Sequence, residues 1–166
     1  MAFWRTFYHL VWATKNRHDL IDPAFEPQLF DYLLRKAQGM GVHIFAINGM
    51  PDHIHLIVSI PPKYAVAEVV KNLKGASAHD FSRMGYMLSW QPGYGVLTLG
   101  ERQKAVAEEY VCNQKMHHAE KTTNPWLEHI SAEDTQTAPE LAPRQMREDQ
   151  ELYWIDEGLH SNRQCT

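Results

Sequence analysis

His53 and His55, separated by one residue, are the first side chains in the sequence that could do chemistry. They lie in residues 50–60, whose alternating pattern predicts a β-strand with both imidazoles on one face and apolar residues on the other. Neutral imidazole nitrogens are good ligands for divalent metals, so the pair forms half of a possible metal site. The short His-x-His spacing by itself, however, favours two strand histidines hydrogen-bonded at a surface.

Tyr110 and Gln114 form a second pair with chemical potential. They lie in residues 103–118, which contain no Gly or Pro and are rich in helix formers, so the segment predicts a helix. Positions four apart share one helix face. A phenol is a covalent nucleophile available to enzymes, and an amide carbonyl oxygen is a hard ligand suited to magnesium or manganese. Taken singly, Tyr110 is typical of a packing residue and Gln114 of a solvated one.

The elements that must position these side chains follow the order strand, helix, strand, strand, helix, strand, helix. This order is the split βαβ pattern. It predicts an α+β, ferredoxin-like fold with an antiparallel sheet, two helices on one face, and the Tyr110 helix near the face that carries the histidines. The predicted strands cover residues 7–14, 42–48, 50–60 and 96–99, and the first two predicted helices cover Pro23–Gly39 and Ala65–Met84.

Four collinear segments resemble the single-tyrosine (Y1) transposases of the IS200/IS605 type, within the HUH endonuclease superfamily. Together they cover about residues 5–118. The loop 90–95 and the ending 113–118 are similar to the branch associated with repetitive extragenic palindromes (REP), the REP-associated tyrosine transposases. The matching segments are Tyr8-His-Leu-Val-Trp-Ala-Thr-Lys-Asn-Arg17, Pro51-Asp-His-Ile-His-Leu-Ile-Val-Ser59, Leu73-Lys-Gly75 and Tyr110-Val-Cys-Asn-Gln114.

The resemblance implies an enzyme that nicks and rejoins single-stranded DNA carrying a hairpin. Tyr110 would attack a phosphodiester and form a 5′-phosphotyrosine intermediate. His53, His55 and Gln114 would hold a divalent metal, Mg²⁺ or Mn²⁺. The resemblance also implies homodimers in which one subunit's tyrosine serves the other's histidines. The branch whose members carry a C-terminal tail suggests a monomer instead.

Two alternatives remain open from the residues themselves. The same fold could serve as a catalytically silent DNA-hairpin-binding protein, which would need neither metal nor a covalent adduct. A ferredoxin-like domain that binds a metal or a small ligand, unrelated to DNA, is the third hypothesis. The combination of His53, His55, Tyr110 and Gln114 favours the enzyme, because a binding module has no use for that set.

Length and charge predict a catalytic domain followed by an acidic tail. The chain has 166 residues, enough for one domain with a substantial core. Residues 1–118 hold 12 Lys or Arg against 10 Asp or Glu, and residues 119–166 hold 4 against 10. The catalytic domain, 1–118, is therefore mildly basic, and the tail, 119–166, is acidic and expected to be partly flexible. A near-neutral body argues against broad clamping of duplex DNA but allows a local groove for a single strand.

Several basic and aromatic residues are candidates for DNA contact. Lys15 and Arg17 end the first strand, where phosphate contact and a solvated turn are equally good interpretations. Trp90 and Tyr94 could stack on unpaired bases or anchor their loop. The family resemblance alone adds three lysines around the second helix: Lys63, Lys71 and Lys74.

The sequence gives no sign of a membrane or secretory protein. The apolar start is interrupted by Arg5 and His9, so it does not match a signal peptide. No apolar run approaches the length of a membrane span. We therefore expect a cytoplasmic, nucleoid-associated protein.

Overall fold

The computed structural model describes residues 3–125 and 127–130 and contains four strands and four α-helices in that part of the chain. The strands form one antiparallel sheet in the order second, third, first, fourth along the chain. The predicted α+β fold with split βαβ order is confirmed. In chain order the elements are β1 (Phe7–Ala13), a 3₁₀ turn (Lys15–Arg17), α1 (Glu26–Gly39), β2 (His43–Met50), β3 (His53–Ser59), α2 (Val66–Arg83), β4 (Gly95–Leu99), α3 (Glu101–Cys112) and α4 (Gln114–Glu120).

Alternation along the central strands separates the face of the larger core from the face that carries the histidines. Trp12 of β1 and Ile54 and Leu56 of β3 are fully buried in the core beneath α1 and α2. Each buried aliphatic side chain contributes about 1.5–3 kcal/mol relative to exposure. A one-residue slip of β3 would drive His53 and His55 into this core. Burial of the apolar set therefore fixes the register that keeps the two histidines on the other face.

The Tyr110 helix, α3, covers that other face, as predicted. Ala107, Tyr110 and Val111 pack in a second, smaller core with Ile57 of β3. Leu127, which follows α4, is buried in the same cluster. The sheet is thus sandwiched, and the histidine pair lies in the layer between β3 and α3.

The first helix begins three residues later than Pro23, where the sequence predicted it. The Asp22 carboxylate accepts a hydrogen bond from the Ala24 amide at 2.7 Å, and residues 23–25 form a turn instead of the first helical residues. Glu26 then opens α1, with Pro27 in its first turn. Asp22 therefore caps a turn that leads into the helix.

The predicted helix 103–118 is interrupted at Asn113, which separates α3 from α4. In a continuous helix the Met116 amide would bond to the Cys112 carbonyl. Here Asn48 of β2 donates its side-chain amide to that carbonyl at 2.9 Å, and the Met116 amide bonds to Asn113 instead. A side chain from a distant strand therefore breaks the helix between Tyr110 and Gln114.

Residues 131–166 of the expected acidic tail lie outside the described residues, and its flexibility stays a prediction. In the part of the chain that the structure describes, none of the helices combines the length and apolar character that crossing a membrane would require.

Candidate active site

A tight hairpin between β2 and β3 delivers His53 to the site. Met50 pairs with His53 across the turn made by Pro51 and Asp52. A Cβ atom at Gly49 would overlap the His53 carbonyl oxygen and approach the Ile54 backbone. Glycine at position 49 therefore permits the close approach of the two strands beside the first histidine.

A chain of contacts from Arg17 through Asp52, here called a relay, orients the His53 imidazole. Its Nδ1 lies 2.6 Å from Asp52 Oδ1, and Arg17 donates to Asp52 Oδ2 at 3.0 Å. An ionised carboxylate only accepts hydrogen bonds, so we assign the proton to Nδ1, which leaves the Nε2 lone pair facing the site. Arg17 and its neighbour Asn16 both adopt left-handed backbone conformations, with φ of 53° and 56°. Such strain persists where surrounding contacts hold it.

A third histidine, His9 of β1, orients His55. His9 Nε2 lies 2.9 Å from His55 Nδ1, and the two rings stack with centroids 5.1 Å apart. Both residues are fully buried. The contact gives His9 more than a packing role, because it turns His55 Nε2 toward the carboxylate that His53 Nε2 also approaches.

The Tyr110 hydroxyl lies on the opposite wall of this space. It donates to Glu128 Oε1 at 2.8 Å and accepts a hydrogen bond from the Asn124 amide at 3.0 Å. The Tyr110 ring stacks on His117, with centroids 4.6 Å apart, and lies edge-on to His55 at 6.4 Å. The phenol and the paired imidazoles of one chain therefore face each other.

Glu128 contacts both the Tyr110 side and the histidine side of this space. Its Oε1 also accepts from Gln114 Nε2 at 2.7 Å, so Tyr110 and Gln114 meet there despite the break at Asn113. Its Oε2 lies 3.3 Å from His53 Nε2 and 3.2 Å from His55 Nε2. These two approaches lack the geometry of hydrogen bonds.

Four buried polar atoms around Glu128 have no hydrogen-bond partner among the described residues, which is a costly arrangement. They are Nε2 of His53, Nε2 of His55, Nε2 of His118 and Oε1 of Gln114. The ligand atoms of His53, His118 and Glu128 lie close enough together to hold one metal ion. Imidazole nitrogens and carboxylate or amide oxygens form a donor set that suits a divalent cation.

Burial and contacts with charged neighbours set the protonation states of the site. Burial holds the pKa of His9 well below its ordinary value, with a smaller contribution from the neighbouring His55, and burial likewise lowers the pKa of His55. Burial also opposes charge on His53, but its contacts with the Asp52 and Glu128 carboxylates outweigh burial and raise the pKa of His53, so a proton on His53 competes with a metal ion. Burial of Glu128 is outweighed by its contacts with the histidines and Gln114, so its pKa lies far below the usual range. The site therefore holds an anionic carboxylate beside neutral His9 and His55.

The family model for IS200-like transposases matches residues 2–114 of the chain. The chain belongs to the IS200-like transposase family. It is 34% identical over 115 residues to the ISDra2 transposase TnpA of Deinococcus radiodurans. The aligned region covers 64% of this chain and 82% of that protein. It is 28% identical over 119 residues to the IS200 transposase of Salmonella typhimurium, covering 67% and 78% of the two chains. The family membership inferred from the four segments is confirmed.

One solved structure supports the same placement, and a second shares the fold. A candidate transposase from Deinococcus radiodurans superposes with a TM-score of 0.54 at 34% identity, covering 69% of this family member and 95% of that chain. A REP-associated tyrosine transposase bound to a REP hairpin superposes with a TM-score of 0.56 at 13% identity, covering 86% and 100%. The second likeness shows the shared fold alone. Assignment of this IS200-like transposase to the REP-associated branch stays a prediction.

The structure brings together all four residues that the sequence marked for chemistry in this IS200-like transposase: Tyr110, His53, His55 and Gln114. It also adds four that sequence reasoning missed or assigned elsewhere. The Nε2 atom of His118 lies 3.7 Å from Glu128 Oε2. The Asp-His dipeptide at positions 52 and 53 was a detectable signal for the relay, but nothing in the sequence pattern pointed to Glu128. The four added residues are His9, Asp52, His118 and Glu128.

The predicted DNA-contact residues of the transposase occupy other places. Lys15, Lys63 and Lys71 are exposed, and Arg17 is engaged with Asp52. The Lys74 ammonium instead organises the loop after α2, because its Nζ donates to the carbonyls of Gln91, Pro92 and Gly93 at 2.6, 2.8 and 3.1 Å. DNA contact by any of these residues stays a prediction.

The two aromatic candidates of the transposase lie beside α2. Trp90 donates its indole N–H to Ser77 Oγ at 2.9 Å and meets Trp12 edge-to-face, an anchoring position. Trp90, Tyr94 and Lys71 line a cavity of about 300 Å³. Base stacking by Trp90 or Tyr94 stays a prediction.

We expect Asp52→Asn to weaken Mn²⁺ binding by about 10–100-fold, the usual cost of losing an outer partner of a metal-bound histidine. The amide can donate to Nδ1 and favour the tautomer that places a proton on Nε2. Isothermal titration calorimetry without DNA measures the effect. Asp19→Asn, at an exposed position, serves as the control. Equal affinities of the two variants would show that the relay does not orient His53.

Proposed function

We propose that this IS200-like transposase is a single-stranded DNA endonuclease and strand transferase that uses Tyr110 as its nucleophile. The observation that carries the proposal is the approach of the Tyr110 hydroxyl and the bare Nε2 atoms of His53 and His55 to one carboxylate, that of Glu128. A phenol directed at a cluster of metal-ligating nitrogens has little use in a protein that only binds DNA. Family membership supports a transposase function independently of this geometry.

His53, His55 and Gln114 are proposed to hold a divalent cation, Mg²⁺ or Mn²⁺. The unsatisfied buried atoms of these three residues fit such an ion. When bound, the cation would polarise a non-bridging oxygen of the scissile phosphate. The protein contributes prepositioned ligands, since His9 and Asp52 fix the orientation of the two imidazoles before any ion arrives.

Tyr110 provides the covalent step. Its oxygen forms a bond to phosphorus while the bond from phosphorus to the 3′ oxygen breaks. The phenol loses its proton, and the departing 3′ oxygen gains one. The product is a 5′-phosphotyrosine and a free 3′-hydroxyl. A second 3′-hydroxyl then attacks the phosphotyrosine, which restores a phosphodiester and returns the phenol. The covalent link conserves the bond energy, so no nucleotide triphosphate is required.

The proposed substrate is single-stranded DNA with a hairpin near the cleavage site. The REP-associated neighbour was solved with a REP hairpin, and it shares the fold of this chain. Exposed Lys15, Lys63 and Lys71 are proposed to contact the phosphate backbone. The phenol faces the histidines of its own chain, an arrangement that suits a monomer. A homodimer with exchanged tyrosines is the other proposed assembly.

The test is incubation with hairpin-bearing single-stranded DNA and Mn²⁺, followed by denaturing electrophoresis. We expect a denaturation-resistant protein–DNA adduct that disappears when EDTA replaces the metal. Labelling each side of the cleavage site shows that the protein remains on the 5′ phosphate. Hairpin binding without an adduct, across a panel of substrates, would instead identify a silent DNA-binding protein on the same fold.

A further inference from the structure

The segment that follows α4 contributes a carboxylate to the centre of the site. Glu128 lies beyond the motifs that define the family resemblance and beyond the matched residues 2–114. Its side chain is 18% exposed, although Glu is seldom buried without partners. The partners that it has here are the proposed nucleophile and the proposed metal ligands.

The distances around Oε2 fit a shared metal ion. Ligands at neighbouring corners of an octahedral shell with bonds of about 2.1 Å lie about 3.0 Å apart. Glu128 Oε2 lies 3.3 Å from His53 Nε2 and 3.2 Å from His55 Nε2. If both Nδ1 atoms carry the protons, two nitrogen lone pairs and a carboxylate oxygen face one another with no proton between them. A cation at their centre removes the repulsion.

The other carboxylate oxygen holds the nucleophile. Glu128 Oε1 accepts from the Tyr110 hydroxyl and from Gln114 Nε2. One carboxylate therefore spans from the imidazole pair to the phenol. Its two oxygens would hold the attacking oxygen at a set distance from the proposed cation position. A nucleophile is effective only when it is held at such a defined distance from the reacting group.

Several contacts anchor the segment that carries Glu128. The Asn124 amide donates to the Tyr110 hydroxyl, and the Asn124 carbonyl accepts from the Glu128 amide at 3.1 Å. Leu127 is buried in the small core under α3. The His129 carbonyl oxygen lies over Gly95 of β4, at a point that a Cβ atom would overlap. The strand and the helix thus both fix the position of the carboxylate.

We infer that Glu128 is a further ligand of the divalent cation and the positioning residue for the Tyr110 hydroxyl. Only the positioning of the Tyr110 hydroxyl rests on the proposed function. The assignment of Glu128 as a metal ligand does not, because metal binding can be measured without DNA. It extends the centre past residue 118, where the sequence placed the end of the catalytic domain.

The experiment compares Mn²⁺ binding to the full chain, to Glu128→Gln and to Glu120→Gln, an exposed control. Electron paramagnetic resonance of free Mn²⁺ and calorimetry give the dissociation constant without DNA, and thermal melting checks the fold. We expect Glu128→Gln to raise the dissociation constant for Mn²⁺ by about 10-fold or more, because loss of a direct ligand costs at least as much as loss of a residue that orients a ligand. Glu120→Gln should leave the dissociation constant unchanged.

Two results would overturn the inference. An unchanged dissociation constant in Glu128→Gln would show that the carboxylate is not a ligand. Faster adduct formation in that variant with unchanged Mn²⁺ affinity would show that Glu128 occupies the place of the scissile phosphate. A wild-type protein that binds Mn²⁺ through Glu128 but forms no adduct would sink the proposed nicking activity and leave the ligand assignment intact.

Discussion

Tyr110→Phe should eliminate the covalent protein–DNA adduct and lower strand cleavage by more than about 10³-fold. The substitution removes one oxygen atom, the proposed attacking atom, and leaves the covalent route without a nucleophile. The aromatic ring can still stack on His117 and fill the small core under α3. Affinity for hairpin DNA should therefore stay within about 2-fold of wild type, since the proposed DNA contacts do not include the phenol oxygen.

Tyr32→Phe is the matched control for this experiment. Tyr32 lies on α1, on the far side of the sheet, and donates its hydroxyl to Asp80 Oδ2 at 2.6 Å. Removing that hydroxyl costs about 1 kcal/mol of stability without touching the site. We expect normal adduct formation in the control. An adduct that persists in Tyr110→Phe would assign the covalent step to a different residue.

The sequence was sufficient for the parts of this site that depend on local periodicity. Alternation in β3 places His53 and His55 on one face because Ile54 and Leu56 must face the larger core. The element order determines which face the Tyr110 helix covers. These inferences require only the geometry of strands and the cost of exposing apolar side chains.

The remaining parts depend on tertiary contacts that no local pattern encodes. The break at Asn113 arises because the side chain of Asn48, 64 residues earlier than its partner Cys112, takes a helical carbonyl. Glu128 reaches the centre because Gly95 leaves space for the backbone at His129. Residues 122–130 contain no motif that would mark a carboxylate for such a position. The acidic composition of residues 119–166 predicted an acidic, partly flexible tail instead.

The histidine relays show how the fold prepares its ligands. His53 depends on Asp52 and, through it, on Arg17, whereas His55 depends on His9. The first relay lies at the sheet rim and the second is fully buried. Substitutions at the two ligands should therefore have similar effects on metal binding and different effects on stability.

His55→Ala should abolish measurable Mn²⁺ binding and lower adduct formation by about 10³-fold. The loss of a direct ligand removes metal stabilisation of the transition state worth several kcal/mol, and each 1.36 kcal/mol is tenfold in rate. His55→Ala also leaves the buried Nε2 of His9 without its partner, which costs about 1–3 kcal/mol of folding stability. Calorimetry, melting temperature and the adduct assay report the three quantities separately.

His53→Ala separates loss of the ligand from loss of stability. It removes the other imidazole, but Asp52 keeps its ion pair with Arg17 and the contact between His9 and His55 stays intact. We expect the same failure of Mn²⁺ binding with a smaller fall in melting temperature than in His55→Ala. His79→Ala, at an exposed position of α2, should change none of these measurements. Wild-type Mn²⁺ affinity in either ligand variant would show that the imidazole pair does not form the metal site, and the proposed chemistry would lose its centre.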